Sequence, residues 1–160
     1  MKGSPTLTYD ERFARLAPVV HETFDLPAMT RVSIGAAWRN MSEQERADVT
    51  DAFADWTIAN YAAQFDGFDG EAFAVTDEAD AGRGNMMVNT ELRAKDETVA
   101  LNYRLRQTGG TWRIIDIYLD GAVSQLAVRR GEFAAVLGKG TVGQLIDHMR
   151  TLTAKLAADG

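Results

Sequence analysis

The chain contains no cysteine and only two histidines, and these absences exclude several kinds of chemistry. Without cysteine there are no disulfides, no thiolate metal ligands and no thiol nucleophile. His21 and His148 are far apart in the sequence, and each falls in a helical pattern at a position typical of a solvent-exposed surface. We therefore expect no metal site and no cofactor.

Basic residues are also scarce, because 17 Lys and Arg stand against 23 Asp and Glu, for a formal net charge of -6. Nucleic-acid binding needs a clustered positive surface, so this balance argues against a nucleic-acid partner. No apolar run is long enough to span a bilayer. The N-terminus lacks the short apolar stretch of a secretory signal, and we expect that residues 1–4 replace a signal with which the natural protein is made.

What is present is the composition of a folded domain. The chain has 46% hydrophobic and 25% charged residues over 160 positions, which is typical of one globular unit rather than a disordered segment. We predict a single domain over residues 1–160. Within it we expect a helical part at 9–66, a sheet at 71–119 and a second helical part at 122–158.

The N-terminal third has the signals of helix starts. Thr8 and Glu11 have capping-box spacing, which predicts a first helix from about Tyr9 to Thr23. Asp25 can cap a second helix, with a proline in its first turn, that should end near Asn40.

Two more regions have the helical period. Ser42 and Glu45 form a second capping pair, which opens a long helix that Gly67 and Gly70 should end. Past Gly121 the helical pattern returns, with a break at a Gly-Lys-Gly run. The apolar residues of this last region are Val123, Leu126, Ala127, Phe133 and Leu137, followed by Val142, Leu145, Ile146, Met149, Leu152 and Leu156.

Between these regions the apolar residues alternate with a period of two. The alternation predicts strands around residues 87–93, 99–106 and 112–119, joined by a turn at 95–97 and by the pair Gly109-Gly110. A further strand around Ala72–Thr76 would complete the sheet. Because helices and strands are segregated along the chain, we predict an α+β fold with a curved antiparallel sheet of about four strands, covered by the N- and C-terminal helices.

Asp116 is the best candidate for catalysis. It lies in the middle of a strand, between Ile115 and Ile117, where a buried carboxylate could act as a general base together with Tyr103 or Tyr118. The alternative is a structural carboxylate that is hydrogen-bonded or ion-paired to a neighbouring strand, for which Arg104 is the expected partner. The sequence contains no glycine-rich phosphate loop and no nucleophile elbow.

Aromatic residues form a large apolar area on elements that should face one another. They either fill a core or form the wall of a cavity, and periodicity does not distinguish these two arrangements. The residues are Trp38, Phe53, Trp56, Tyr61, Phe65, Tyr103, Trp112 and Tyr118.

The segment from Trp112 to Leu126, followed by Arg129-Arg130 and Glu132-Phe133, resembles a known signature. It is similar to W-x-I-x-D-V-x-x-D-G-x-S-x-x...R-x-x-F of the MlaC family, the periplasmic auxiliary components of lipid ABC transporters. Upstream, residues 24–39 resemble the F-D-x...L-G-x-x-W segment of that family. Phe53 and Tyr61-Ala62 stand at the positions of its F-x...Y-A helix.

Two stretches, FDLPAMTRVSIGAAWR and SQLAVRRGEF, are similar to the HpnM-like branch, which is associated with hopanoid clusters. The resemblance implies a nuclear-transport-factor-like sheet completed by helices, with an apolar cavity between them. It also implies a periplasmic carrier, the soluble component of an ABC transport system, with a phospholipid or hopanoid-type lipid as cargo. Its partners would be an outer-membrane lipoprotein complex and an inner-membrane MCE-domain transporter, and it would have no catalytic residues.

On this basis we predict the residues that contact the lipid. The expected cavity wall consists of Phe53, Trp56, Val88, Leu101, Tyr103, Ile115, Ile117 and Leu126. The expected headgroup or docking residues are Arg104, Arg129 and Arg130. If Trp112, Ile114 and Tyr118 face inward instead, part of the first list changes.

Two other functions remain open at this point. A small enzyme of the same curved-sheet class, such as a dehydratase or isomerase, would use Asp116 inside the cavity. An interaction module would have a filled core, in which Trp56, Tyr103 and Ile117 pack without space for a ligand.

Overall fold

The computed structural model describes residues 7–65 and 71–159. The elements in chain order are helices α1 (Tyr9–Thr23) and α2 (Leu26–Ile34), a 3-10 helix (Gly35–Asn40), α3 (Glu43–Gln64), strands β1 (Ala72–Gly82), β2 (Asn85–Arg93), β3 (Thr98–Thr108), β4 (Thr111–Leu119) and β5 (Val123–Ser124), and helices α4 (Gln125–Leu137) and α5 (Val142–Asp159). This order confirms the predicted α+β architecture. None of the described helices is long and apolar enough to cross a membrane.

The two predicted capping boxes fix the starts of α1 and α3. Thr8 accepts a hydrogen bond from the Glu11 amide at 3.3 Å, and the Glu11 carboxylate accepts one from the Thr8 amide at 2.9 Å. Ser42 and Glu45 repeat this pattern at 3.2 and 2.8 Å. Each box satisfies N–H groups that have no partner inside the helix, so both helices begin where the sequence predicted. The predicted end of α3, at residues 67 and 70, lies outside the described residues.

The second predicted helix is shorter than expected. Asp25 caps α2 by accepting from the Ala28 amide at 3.1 Å, as predicted. The α-helix ends at Ile34, because Gly35 has a φ of +69°, a conformation that suits glycine and interrupts the helix. The segment up to Asn40 is a 3-10 helix.

The sheet has five antiparallel strands in sequential order, where about four were predicted. The fifth strand, Val123–Ser124, pairs with the end of β4, so Val123 belongs to a strand and not to the helical face on which we expected it. Strand β1 also extends beyond the predicted Thr76 to Gly82. Its second half is exposed at the sheet edge and rich in acidic residues, so it lacks the apolar alternation that reveals a half-buried strand.

Strand β4 contains a β-bulge at Ile115. Arg104 pairs with Asp116, whereas the next residue of β3, Leu105, pairs with Ile114. Because Ile115 is the extra residue, Ile114 and Ile117 both pack against the helical core. The simple alternation that placed Ile115 on the same face as Ile117 was therefore wrong.

Helix α3 forms the centre of the core. It packs against α1, α5 and α2, while α4 packs against α2 and β4. Phe53 and Trp56 of α3 contact each other and Phe133 of α4, and the ring centroids of these pairs are 5.9–6.3 Å apart. The core thus lies on the helical side and reaches the sheet mainly through β4, so much of β1 is left exposed.

Asp116 connects β4 to the start of α4. Its carboxylate accepts hydrogen bonds from the Ser124 hydroxyl at 2.6 Å and from the amides of Ile117 and Leu126 at 2.8 and 3.2 Å. These contacts agree with the prediction that Asp116 is a structural carboxylate. The prediction that its partner is Arg104 was wrong. Arg104 lies opposite Asp116 in the sheet, and no ion pair joins these two described residues.

We expect Gly35→Ala to destabilise the protein by about 1 kcal/mol or more, because φ is positive there. A Cβ at this position would also lie 3.1 Å from Nε of Arg130. Gly131→Ala is the matched control. Gly131 lies inside α4 with open space around it, so alanine should stabilise the helix by up to about 1 kcal/mol. Urea unfolding of both variants measures the difference, and equal effects would contradict this account of Gly35.

We expect Asp116→Ala to lower the free energy of unfolding by about 2–3 kcal/mol, because a buried amide, a partly buried amide and a hydroxyl would lose their acceptor. Asp147→Ala removes an exposed carboxylate whose ion pair with Arg150 is 4.0 Å long, and should change stability by less than about 0.5 kcal/mol. Chemical denaturation measures both values. A change at Asp116 as small as that at Asp147 would show that the carboxylate does not hold α4 on β4.

Candidate functional site

A cavity of about 640 Å³ lies between α3 and the sheet and is partly open to solvent. Its lining is mostly apolar, and its volume lies within the range of about 300–1,000 Å³ that is typical of ligand sites. The cavity borders Trp56 and Ile117. The filled core that an interaction module would require is therefore not what the structure contains.

The helical wall of the cavity is one face of α3. Its lining residues recur at intervals of three or four, which places them above one another on a helix. They are Phe53, Trp56, Thr57, Asn60, Tyr61 and Gln64, and Phe65 continues the wall beyond the helix. Met29 of α2 and Gln125, Leu126 and Arg129 of α4 complete this side.

The sheet wall is a row of apolar side chains at one end of the strands. Phe73 pairs with Leu92, which pairs in turn with Val99, so these three share one face of β1, β2 and β3. Leu101 pairs with Leu119 in the same way, next to Ile117. The turn between β2 and β3 contributes Ala94 and Glu97, and Glu71 precedes β1.

A continuous row of aromatic rings connects the helices to β1 along this cavity. Phe24 meets Tyr61 edge-on at 5.9 Å, Tyr61 stacks on Phe65 at 5.9 Å, and Phe65 contacts Phe73 at 6.1 Å. Rings at these distances attract one another beyond their simple burial. The row gives the cavity a stiff apolar border.

Tyr61 of α3 and Tyr103 of β3 lie close together between the helix and the sheet. Burial raises the pKa of Tyr61 far above that of an ordinary phenol, and the neighbouring Tyr103 raises it further. Burial also raises the pKa of Tyr103. Tyr61, and not the predicted Tyr103, borders the cavity.

Five of the eight predicted wall residues line the cavity, namely Phe53, Trp56, Leu101, Ile117 and Leu126. The other three do not. Val88 and Tyr103 pair with each other further along the sheet, past the apolar row, and Ile115 is the bulge residue of β4.

The prediction missed several lining residues, including Leu92, Val99 and Phe73. Alternation already placed Leu92 on the face of Val88, and Val99 on the face of Leu101, so a signal for both was present. The alternation indicates which face of a strand a residue lies on, but it does not indicate where along the strands the cavity lies.

The three predicted arginines lie in different environments. Arg129 lines the cavity. Arg104 belongs to the opposite face of β3, because it alternates with Tyr103 and Leu105, and its Nε is buried without a described partner. Arg130 is exposed and lies against Gly35, outside the lining.

The candidate catalytic residue is not part of the cavity lining. Both carboxylate oxygens of Asp116 are occupied by the hydrogen bonds that join β4 to α4. His21 and His148 are both exposed. Within residues 7–65 and 71–159, no group of three or more His, Asp or Glu side chains is arranged to hold a metal ion.

We expect stability to fall as the pH rises above about 10, where tyrosines of the unfolded chain ionise while folded Tyr61 keeps its proton. Tyr61→Phe should make this fall shallower. Denaturation of both proteins at several pH values between neutral and alkaline measures the slope. The values at neutral pH serve as the control, since no phenol titrates there, and identical slopes would contradict the raised pKa.

The comparisons with known proteins agree with this architecture. The family model described as MlaC protein matches residues 2–151. A search of curated proteins finds no match. The structure is similar to that of a phospholipid-binding protein from Ralstonia solanacearum, solved in complex with a phospholipid. The TM-score is 0.80 at 22% identity, and the match covers 93% of this chain and 86% of that one. The likeness shows a shared fold, and because the family model spans nearly the whole sequence, the chain belongs to the MlaC family.

Proposed function

We propose that the protein is a lipid carrier that holds one amphipathic lipid, with its tails in the cavity between α3 and the sheet and without a catalytic step of its own. The observation that carries this proposal is the cavity itself. Protein interiors are normally close-packed, and unfilled apolar space costs stability. A mostly apolar cavity of about 640 Å³ that is partly open to solvent fits a ligand that is itself largely apolar.

The energetics of lipid transfer support a carrier of this shape. Each exposed methylene costs about 0.8 kcal/mol, so a tail of ~10 methylenes would cost on the order of 8 kcal/mol to transfer into water. The wall formed by Phe53, Leu101 and Leu126 would shield such a tail. The headgroup would lie towards solvent, in contact with polar residues of the lining.

The family and the fold together suggest the biological setting. We propose a periplasmic protein, the soluble component of an ABC transport system that moves lipid between the outer and inner membranes. It would dock transiently with an outer-membrane lipoprotein complex and with an inner-membrane MCE-domain transporter. The phospholipid bound to the Ralstonia solanacearum protein supports a phospholipid cargo. The similarity to HpnM-like sequences supports a hopanoid-type lipid as the second candidate.

Catalysis is the weaker alternative for this cavity. The sequence had suggested a dehydratase or isomerase using Asp116. That carboxylate accepts three hydrogen bonds at the start of α4 and does not line the cavity. Family membership also favours a carrier.

We expect the protein purified from a Gram-negative host to contain one lipid per chain by native mass spectrometry, and Leu101→Trp to load much less. Leu101 lines the sheet wall, so the larger indole would occupy space needed by the tails. Gln107→Trp is the matched control, because Gln107 is an exposed residue further along the same strand. Organic extraction identifies the cargo as phospholipid or hopanoid.

An empty wild-type protein that also takes up neither added lipid would disprove the carrier proposal. Normal loading of Leu101→Trp, with the fold intact by circular dichroism, would instead show that the tails do not occupy this part of the cavity.

A further inference from the structure

Arg129 occupies an unusual position on α4. Leu126 and Phe133 are the buried residues of this helix, and Arg129 lies three residues after the first and four before the second. Residues at these spacings share one helical face. The chain therefore places an arginine in the row of side chains that faces the core, and this side chain is only 25% exposed.

The contacts of Arg129 fix its plane without using up its hydrogen bonds. The guanidinium carbon lies 4.0 Å from the ring centroid of Trp56, which is a close cation–π contact. Nη1 donates to the Glu132 carboxylate at 2.9 Å. A guanidinium has several more N–H donors than this single bond uses, and the described residues provide no other hydrogen-bond partner for them.

Charge makes this position distinct within the cavity. Three charged side chains belong to the lining: Glu71, Glu97 and Arg129. Arg129 is thus the one cation among the described lining residues, in a chain with a net charge of -6. An anionic group attached to apolar tails would find favourable electrostatics at Arg129 and repulsion beside Glu97.

We infer that Arg129 binds the phosphate group of the lipid headgroup and makes the carrier select phosphate-bearing lipids over neutral lipids of the same length. This inference rests on the proposed carrier function. A planar guanidinium matches two phosphate oxygens at once, and such charge-assisted pairs are stronger than neutral hydrogen bonds. Trp56 and Glu132 hold the guanidinium in place before the lipid arrives. A neutral lipid of the same length gains nothing from this contact.

The test is a competition for loading. Delipidated protein is mixed with vesicles containing equal amounts of phosphatidylglycerol and of diacylglycerol with the same acyl chains, and native mass spectrometry counts each bound lipid. We expect wild type to prefer phosphatidylglycerol. In Arg129→Gln the ratio of bound phosphatidylglycerol to bound diacylglycerol should fall about tenfold, while diacylglycerol still loads. Arg129→Lys, which keeps the charge but loses the planar fork, should restore part of it.

Arg150→Gln is the control for net charge. It removes the same charge from an exposed position on α5, so it should behave as wild type if the contact is local and not a general attraction to anionic vesicles. A third probe, inorganic phosphate at millimolar concentration, is added to the lipid-free protein while tryptophan fluorescence is recorded. We expect no saturable change, because free phosphate lacks the tails that hold it in the cavity.

The outcomes separate this inference from the function on which it rests. If wild type shows no preference, or if Arg129→Gln keeps it, the phosphate contact is wrong although the carrier function stands. If wild type loads neither lipid, the carrier function itself fails. A saturable, Arg129-dependent response to inorganic phosphate would reassign the site to a free anion. Should Arg129→Gln not fold, Arg129→Lys decides the question, because full preference in that variant would contradict the bidentate contact.

Discussion

The fold depends on one extra residue in β4. The bulge at Ile115 lets Ile114 and Ile117 both reach the helical core, although regular alternation would place them on opposite faces. It also leaves Asp116 beside the N-terminus of α4, where its carboxylate satisfies the Leu126 amide. The same short segment therefore anchors the core, begins the next helix and contributes Ile117 to the cavity wall.

Helix α3 serves two environments, which explains how an empty volume persists beside a packed core. One side of it is fully buried against α1 and α5, with Val49, Ala59 and Ala62 at zero exposure. The small alanines allow close helix contacts, and the close contacts hold α3 in position. The other side faces the cavity and needs no filling from the sheet. Rigid packing on one face thus keeps the opposite face available to a ligand.

The sequence predicted the parts of this structure that are determined locally. Capping boxes determine helix starts through hydrogen bonds three residues apart, so Thr8 and Ser42 were sufficient to locate them. Segregated helical and strand patterns likewise predicted the α+β class. The bulge at Ile115 depends on pairing between two strands, and no local pattern reveals it. The cavity is a still longer-range property, because it depends on how far α3 stands from the sheet, and the same aromatic residues would suit a filled core.

The exposed edge strand β1 has a consequence for self-association. Phe73 and Val75 of β1 are more than half exposed, and an apolar edge strand invites pairing with another copy. Two irregularities in the β1 pairing, after Val75 and after Asp80, disrupt the straight ladder that such pairing requires. Glu78 lies opposite Val88, on the same sheet face as the cavity wall, and would place a charge inside any continued sheet. The edge can therefore stay apolar where it borders the cavity and still resist growth into fibres.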